Sequence, residues 1–144
     1  MRRISFLALL VGGVVSFLLS IALAVPVGVV VGIKLAASHQ ISSTVPAREM
    51  VLSNPVVYAV IVALQIVSCI PGGFLAGVTA RHHEALNGLV SSVVVILLRA
   101  GLQGADPHPQ SIRILKMAGY VAASWLGGYL RTVYARRKES LRSA

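Results

Sequence analysis

Acidic side chains are nearly missing from this chain. Glu49, Glu84, Asp106 and Glu139 are the only four in 144 residues, and none falls inside an apolar run. That removes the membrane carboxylate on which a proton-coupled exporter of small molecules would depend. Charge of either sign is sparse, at 12% of residues against 56% hydrophobic, and the mean hydropathy is +0.83. A soluble domain of this length needs far more charge to cover its surface, so the composition predicts an integral membrane protein. One cysteine, Cys69, excludes an intramolecular disulfide. Catalytic patterns are missing as well: there is no G-x-S-x-G, no P-loop and no Rossmann glycine fingerprint. No enzymatic activity and no cofactor are therefore expected. His39, His82, His83 and His108 are scattered over three connections. His82-His83-Glu84 also lacks the spacing that puts two imidazoles on one helical face, so no metal site is expected.

What the chain does have is positive charge, with 13 Lys and Arg and a formal net charge of +9. Nucleic-acid binding would call for a continuous basic face with aromatics interleaved, and the pattern has none. The basic residues instead flank apolar runs, which suits loop ends facing anionic lipid headgroups.

Four spans can be read in order. The first covers about 4–26, with Pro26 either kinking the helix or marking where it leaves the hydrocarbon. Ala22-Leu23-Ala24 has the form of a signal-peptide cleavage site, but the apolar run continues well past it, which favours an uncleaved span. Residues 34–54 read as a loop that ends at Ser53-Asn54-Pro55, a capping side chain followed by proline at a helix start. The second span covers about 55–80 with Pro71 inside it, and Arg81-His82-His83-Glu84 turns it into a third span at 85–103. After a turn over 104–111 the fourth span covers about 112–133, and 135–144 is a basic tail. The strictly uncharged part of the fourth span, Met117 to Leu130, rises only about 21 Å, so Lys116 and Arg131 are expected to snorkel. Arg99, towards the far end of the third span, is expected to snorkel too.

With four spans both termini share a side. Placing them in the cytoplasm puts Arg2, Arg3, Arg81, Arg131, Arg136, Arg137, Lys138 and Arg142 inside, against Lys34, Arg48, Arg99, Arg113 and Lys116 outside. The bias predicts a multi-pass protein of the bacterial cytoplasmic membrane with both termini cytoplasmic. Arg81, Arg131, Arg136, Arg137 and Lys138 are the expected lipid headgroup contacts.

The stretch Gly72 to Glu84 returns 55 positions later as Gly127 to Glu139, with seven of thirteen positions identical. Each copy ends an apolar run with paired glycines and then a basic patch. The echo predicts two hairpins related by a parallel pseudo-two-fold along the membrane normal, within an all-α four-helix bundle. Convergence on small residues followed by positive charges is the alternative. Small residues also recur every fourth position: Gly12, Ser16, Ser20, Ala24, Gly28 and Gly32; then Cys69, Gly73 and Gly77; then Gly119, Ala123 and Gly127. Rows of this kind let helix backbones approach closely where lipid gives no hydrophobic drive for association. Packing within the bundle is favoured over a dedicated dimer seam.

Gly-Gly-Phe-Leu-Ala-Gly-Val-Thr-Ala-Arg at 72–81, a short turn, then Asn87-Gly88-Leu89 resembles a diffuse set of small, largely uncharacterised bacterial four-span membrane proteins. The resemblance implies a fold and location like theirs and carries no activity. The expected role is a structural or accessory subunit, homo-oligomeric or bound to another membrane protein. The alternative is a small transporter or channel subunit with Ser16, Ser20, Gln65, Ser68, Ser91 and Ser92 along its path. A holin-like pore former is a third possibility.

Overall fold

The computed structural model describes residues 5–37, 54–80, 83–103 and 108–142, and every regular element among them is an α-helix. Helix α1 covers Phe6–Ala37, α2 Pro55–Val67, α3 Cys69–Thr79, α4 Glu84–Gln103 and α5 Gln110–Arg142. Three segments are long and apolar enough to cross a membrane: Phe6–Lys34, Pro55–Thr79 and Glu84–Leu102. The loop expected over 34–54 begins later, since α1 continues to Ala37, and 38–53 lies outside the described residues. The same holds for residues 104–107 of the turn expected over 104–111.

Pro26 sits inside α1 and does not end it. Asn54 starts α2 as the sequence predicts: its Oδ1 accepts from the backbone N–H of Val56 and Val57, with Pro55 in the first turn. Side-chain acceptors of this kind satisfy two of the donors a helix start leaves open. Pro71 has no N–H for the carbonyl of Val67, and its ring crowds that carbonyl. The resulting break falls at Ser68, between α2 and α3, so the second span is one bent helix. The connection from Thr79 to Glu84 is as short as expected, making α3 and α4 an antiparallel hairpin. The expected basic tail is helical as far as Arg142. Ala135, Arg136, Arg137, Lys138 and Glu139 are all strong helix formers, so α5 propagates after its apolar part stops.

Helix α3 holds the centre because its side chains are smallest. Cys69, Gly72, Gly73, Ala76 and Gly77 are all buried on it, and it touches α1, α4 and α5. A rod this thin accepts neighbours on several faces at short interaxial distance. Helices α1 and α5 flank the α3–α4 hairpin and, among the described residues, do not touch each other. This arrangement corrects the parallel pseudo-two-fold. Such an axis would exchange α1 with α4 and α3 with α5, and so carry the α3–α4 contact onto an α1–α5 contact that is not made.

Candidate functional site

The paired glycines divide their work between two neighbours. A Cβ on Gly72 would run into Ser16 and the Gly12 carbonyl of α1, whereas one on Gly73 would run into the Ser124 backbone of α5. In the second pair, Gly127 faces the backbone of Ile70 and Phe74, and a Cβ on Gly128 would stand 2.7 Å from the Glu84 carbonyl oxygen of α4. Successive residues on a helix point about 100° apart, so two adjacent glycines open two faces at once. Gly88 of α4 closes the same contact, with Ser124 O 2.7 Å and Gly128 Cα 2.9 Å from its would-be Cβ.

Of the predicted packing residues, Gly12, Ser16, Ser20, Gly73, Gly77, Ala123 and Gly127 are buried, and Gly119 lies half-buried against the side chain of Ile66. Gly77 meets Arg131 and Glu84 side chains. Ala24 is only half-buried, and Gly28 and Gly32 have nothing within 4 Å of a built Cβ. Two geometric reasons account for this end of the row. Four residues turn an α-helix by about 400°, so each step shifts the row about 40° around the axis and Gly28 ends up nearly opposite Gly12. Moreover, Gly12 and Gly13 meet Ser91 and Val94 of α4; past those contacts α4 continues only to Gln103 and α1 to Ala37. The overhanging turns carry Val25, Val29, Val30 and Ile33, all more than half exposed. Of the predicted headgroup contacts, Arg136, Arg137 and Lys138 are exposed, Arg131 is half-buried, and Arg81 lies outside the described residues. Gly72 and Gly128 were marked in the sequence as members of the paired glycines, whereas Gly13, Gly88 and Ser124 were not singled out as packing residues; Gly88 and Gly128 face each other only because the α3–α4 and α4–α5 hairpins set that register.

A polar seam runs from the loop end of the bundle, where residues 108–116 begin α5, to its middle. At its mouth the Tyr58 and His108 rings stack with centroids 3.7 Å apart, and Lys116 Nζ stands 5.8 Å from the Tyr58 centroid. Arg113 Nε donates to His108 O at 2.8 Å. One turn further in, Tyr120 Oη donates to Gln65 Oε1 at 2.8 Å. The spacing explains the alignment: Tyr58 and Gln65 are seven apart on α2, and Lys116, Tyr120 and Ser124 are four apart on α5, so each set shares one face. Cys69 Sγ donates to Gln65 O at 3.3 Å, and Cys69, Val95, Tyr120 and Ala123 form the apolar core beside them.

Arg99 enters this seam from α4. Only 7% of its surface is exposed, and its Cζ lies 4.8 Å from the Tyr120 ring centroid. The expected snorkelling does not occur. Helical side chains lean towards the helix N-terminus, which for α4 is the far end of the bundle, so Arg99 points inwards. None of its three guanidinium nitrogens has a hydrogen-bond partner. Tyr58 Oη and Ser124 Oγ, in the same seam, are likewise buried without one, leaving Arg131 Nε as the sole such atom elsewhere among the described residues.

The serines behave differently. Ser16 donates to Gly12 O, Ser20 to Phe17 O, Ser68 to Gln65 O, Ser91 to Gly88 O and Ser92 to Leu89 O, all at 2.6–2.8 Å. Each hydroxyl is folded back onto its own helix. Compared with family models, curated proteins and solved structures, the chain matches none.

Proposed function

We propose that this chain is a small multi-pass subunit of the bacterial cytoplasmic membrane, with both termini cytoplasmic, that acts structurally or as an accessory to other chains. Four spans cross in this reading, α2 and α3 together making one and α5 crossing with Lys116 and Arg131 at its two interfaces. The observation that carries it is the closed interior. The paired glycines bring backbones into contact across the bundle centre, and five of the six polar residues that could line a path bond their own helix backbone. The sixth, Gln65, is engaged by Tyr120. A solute path lined by those groups would first have to break these bonds, each worth about 1 kcal/mol net and more without competing water. The outward face that remains is the overhanging part of α1, where Ala24, Gly28 and Gly32 accompany exposed valines. We assign assembly to that face, with a second copy or another membrane protein against it, and headgroup contact to Arg136, Arg137 and Lys138.

The test is solute and ion flux through purified protein in liposomes. The accessory role predicts the leak rate of empty liposomes. Reproducible flux that Gln65→Leu abolishes would replace it with the transporter reading.

A further inference from the structure

We propose that Arg99 is the centre of an oxyanion site, built to take a phosphate group that reaches the seam from the loop end of the bundle. A guanidinium held in an apolar helix bundle costs several kcal/mol unless it is paired. The Tyr120 ring offsets part of that as a cation–π contact at 4.8 Å. The five guanidinium hydrogens still have no acceptor. No carboxylate falls inside an apolar run: Glu84 is the first residue of α4, Glu139 lies in the last turn of α5, and Glu49 and Asp106 lie outside the described residues. Glu84 begins α4 at the opposite end of the bundle.

Three features point to an anion and to phosphate among anions. The mouth of the seam holds a second buried donor without a partner, Tyr58 Oη. Cations stand at this end, with Lys116 at the mouth over Tyr58 and Arg113 a turn further out. Arg99 is also four residues from the end of α4 at Gln103, a rise of about 6 Å, so a group at headgroup depth need descend only about one turn. The planar guanidinium fork matches two oxygens of a phosphate, which a lysine ammonium cannot do. The phosphate is either that of a phospholipid headgroup or a free inorganic ion.

The experiment uses the full chain in two arms. In one, the protein is held in phosphatidylcholine nanodiscs doped with phosphatidic acid, and lipid retained after detergent exchange is counted by native mass spectrometry. In the other, inorganic phosphate binding to the same nanodiscs without phosphatidic acid is measured by equilibrium dialysis. Wild type is expected to hold one phosphate group in at least one arm, and Arg99→Gln to weaken it roughly tenfold or more. Lys34→Gln, an exposed cation on the last turn of α1, is expected to leave it unchanged. Retention in the lipid arm alone names a headgroup as the source; binding in the dialysis arm alone names the free ion. If Arg99→Gln fails to fold, judged by Trp125 fluorescence and helicity, Arg99→Lys is read instead: it keeps the charge, loses the fork and should weaken binding severalfold. No binding by wild type in either arm, or equal binding by wild type and the folded Arg99 variant, overturns the proposal.

Discussion

Tyr120 Oη donates to Gln65 Oε1 at 2.8 Å across 55 positions of sequence, and 55 is also the offset at which Gly72-Gly73 returns as Gly127-Gly128. The repeat is therefore a register. The bent helix α2–α3 and α5 run side by side in the same direction, and Gln65 and Tyr120 stand level with each other. Gly73 against Ser124 and Gly127 against Ile70, 51 and 57 positions apart, lie on either side of that offset.

The level pairing makes a double-mutant cycle informative. Tyr120→Phe and Gln65→Leu should each destabilise the folded chain in detergent. Their coupling should fall near the 0.6–2 kcal/mol typical of hydrogen bonds between membrane helices. Additive losses would show that the two side chains do not meet.

The glycine pairs should tolerate nothing larger, because their neighbours are backbone atoms that cannot rotate aside. Gly73→Ala and Gly128→Ala should each cost about 1–3 kcal/mol by overpacking. Gly28→Ala should leave stability unchanged or slightly raised, since an added Cβ there meets no neighbour. Thermal unfolding of the three variants in one detergent gives the comparison.

Much of this was legible in the sequence. The helix start at Asn54, the tight hairpin after Thr79, the bend at Pro71 and the burial of Gly73 and Gly127 all follow from short-range chemistry. Helix rotation and direction account for much of the remainder. A row of every-fourth residues is a gentle spiral, so Gly12 is buried where Gly28 is not. Arg99 is near a helix end, but at a C-terminal end its Cβ leans into the bundle. A snorkelling expectation that ignores this direction fails. Among the described residues α1 and α5 do not touch, a relation between helices that no single stretch records.

Asn87 ties the first helix to the hairpin. Its Oδ1 accepts from Ser5 N at 3.1 Å, and its Nδ2 donates to His83 O at 3.0 Å. Asn87→Ala removes a buried acceptor at the start of α1 and should cost about 1–2 kcal/mol. Hydrogen exchange should speed up first in the opening turn of α1, ahead of Cys69–Thr79. Uniform acceleration across all helices would contradict a local role.

The exposed basic stretch on α5 should set orientation. A reporter fused after Ala144 is expected to read cytoplasmic in wild type. Replacing Arg136, Arg137 and Lys138 with Gln should raise the fraction of inverted chains, because charges close to a span end dominate the inside bias. A periplasmic reading in wild type would overturn the assigned topology.

The accessory role stands or falls on assembly. Membranes from cells expressing the full chain can be extracted into native nanodiscs, and the mass of each particle measured one at a time. Particles heavier than a single chain are expected, reduced to single chains by Gly28→Leu with Gly32→Leu while the helicity of the bundle is retained. Single-chain particles in wild type, with no second protein present, would contradict it.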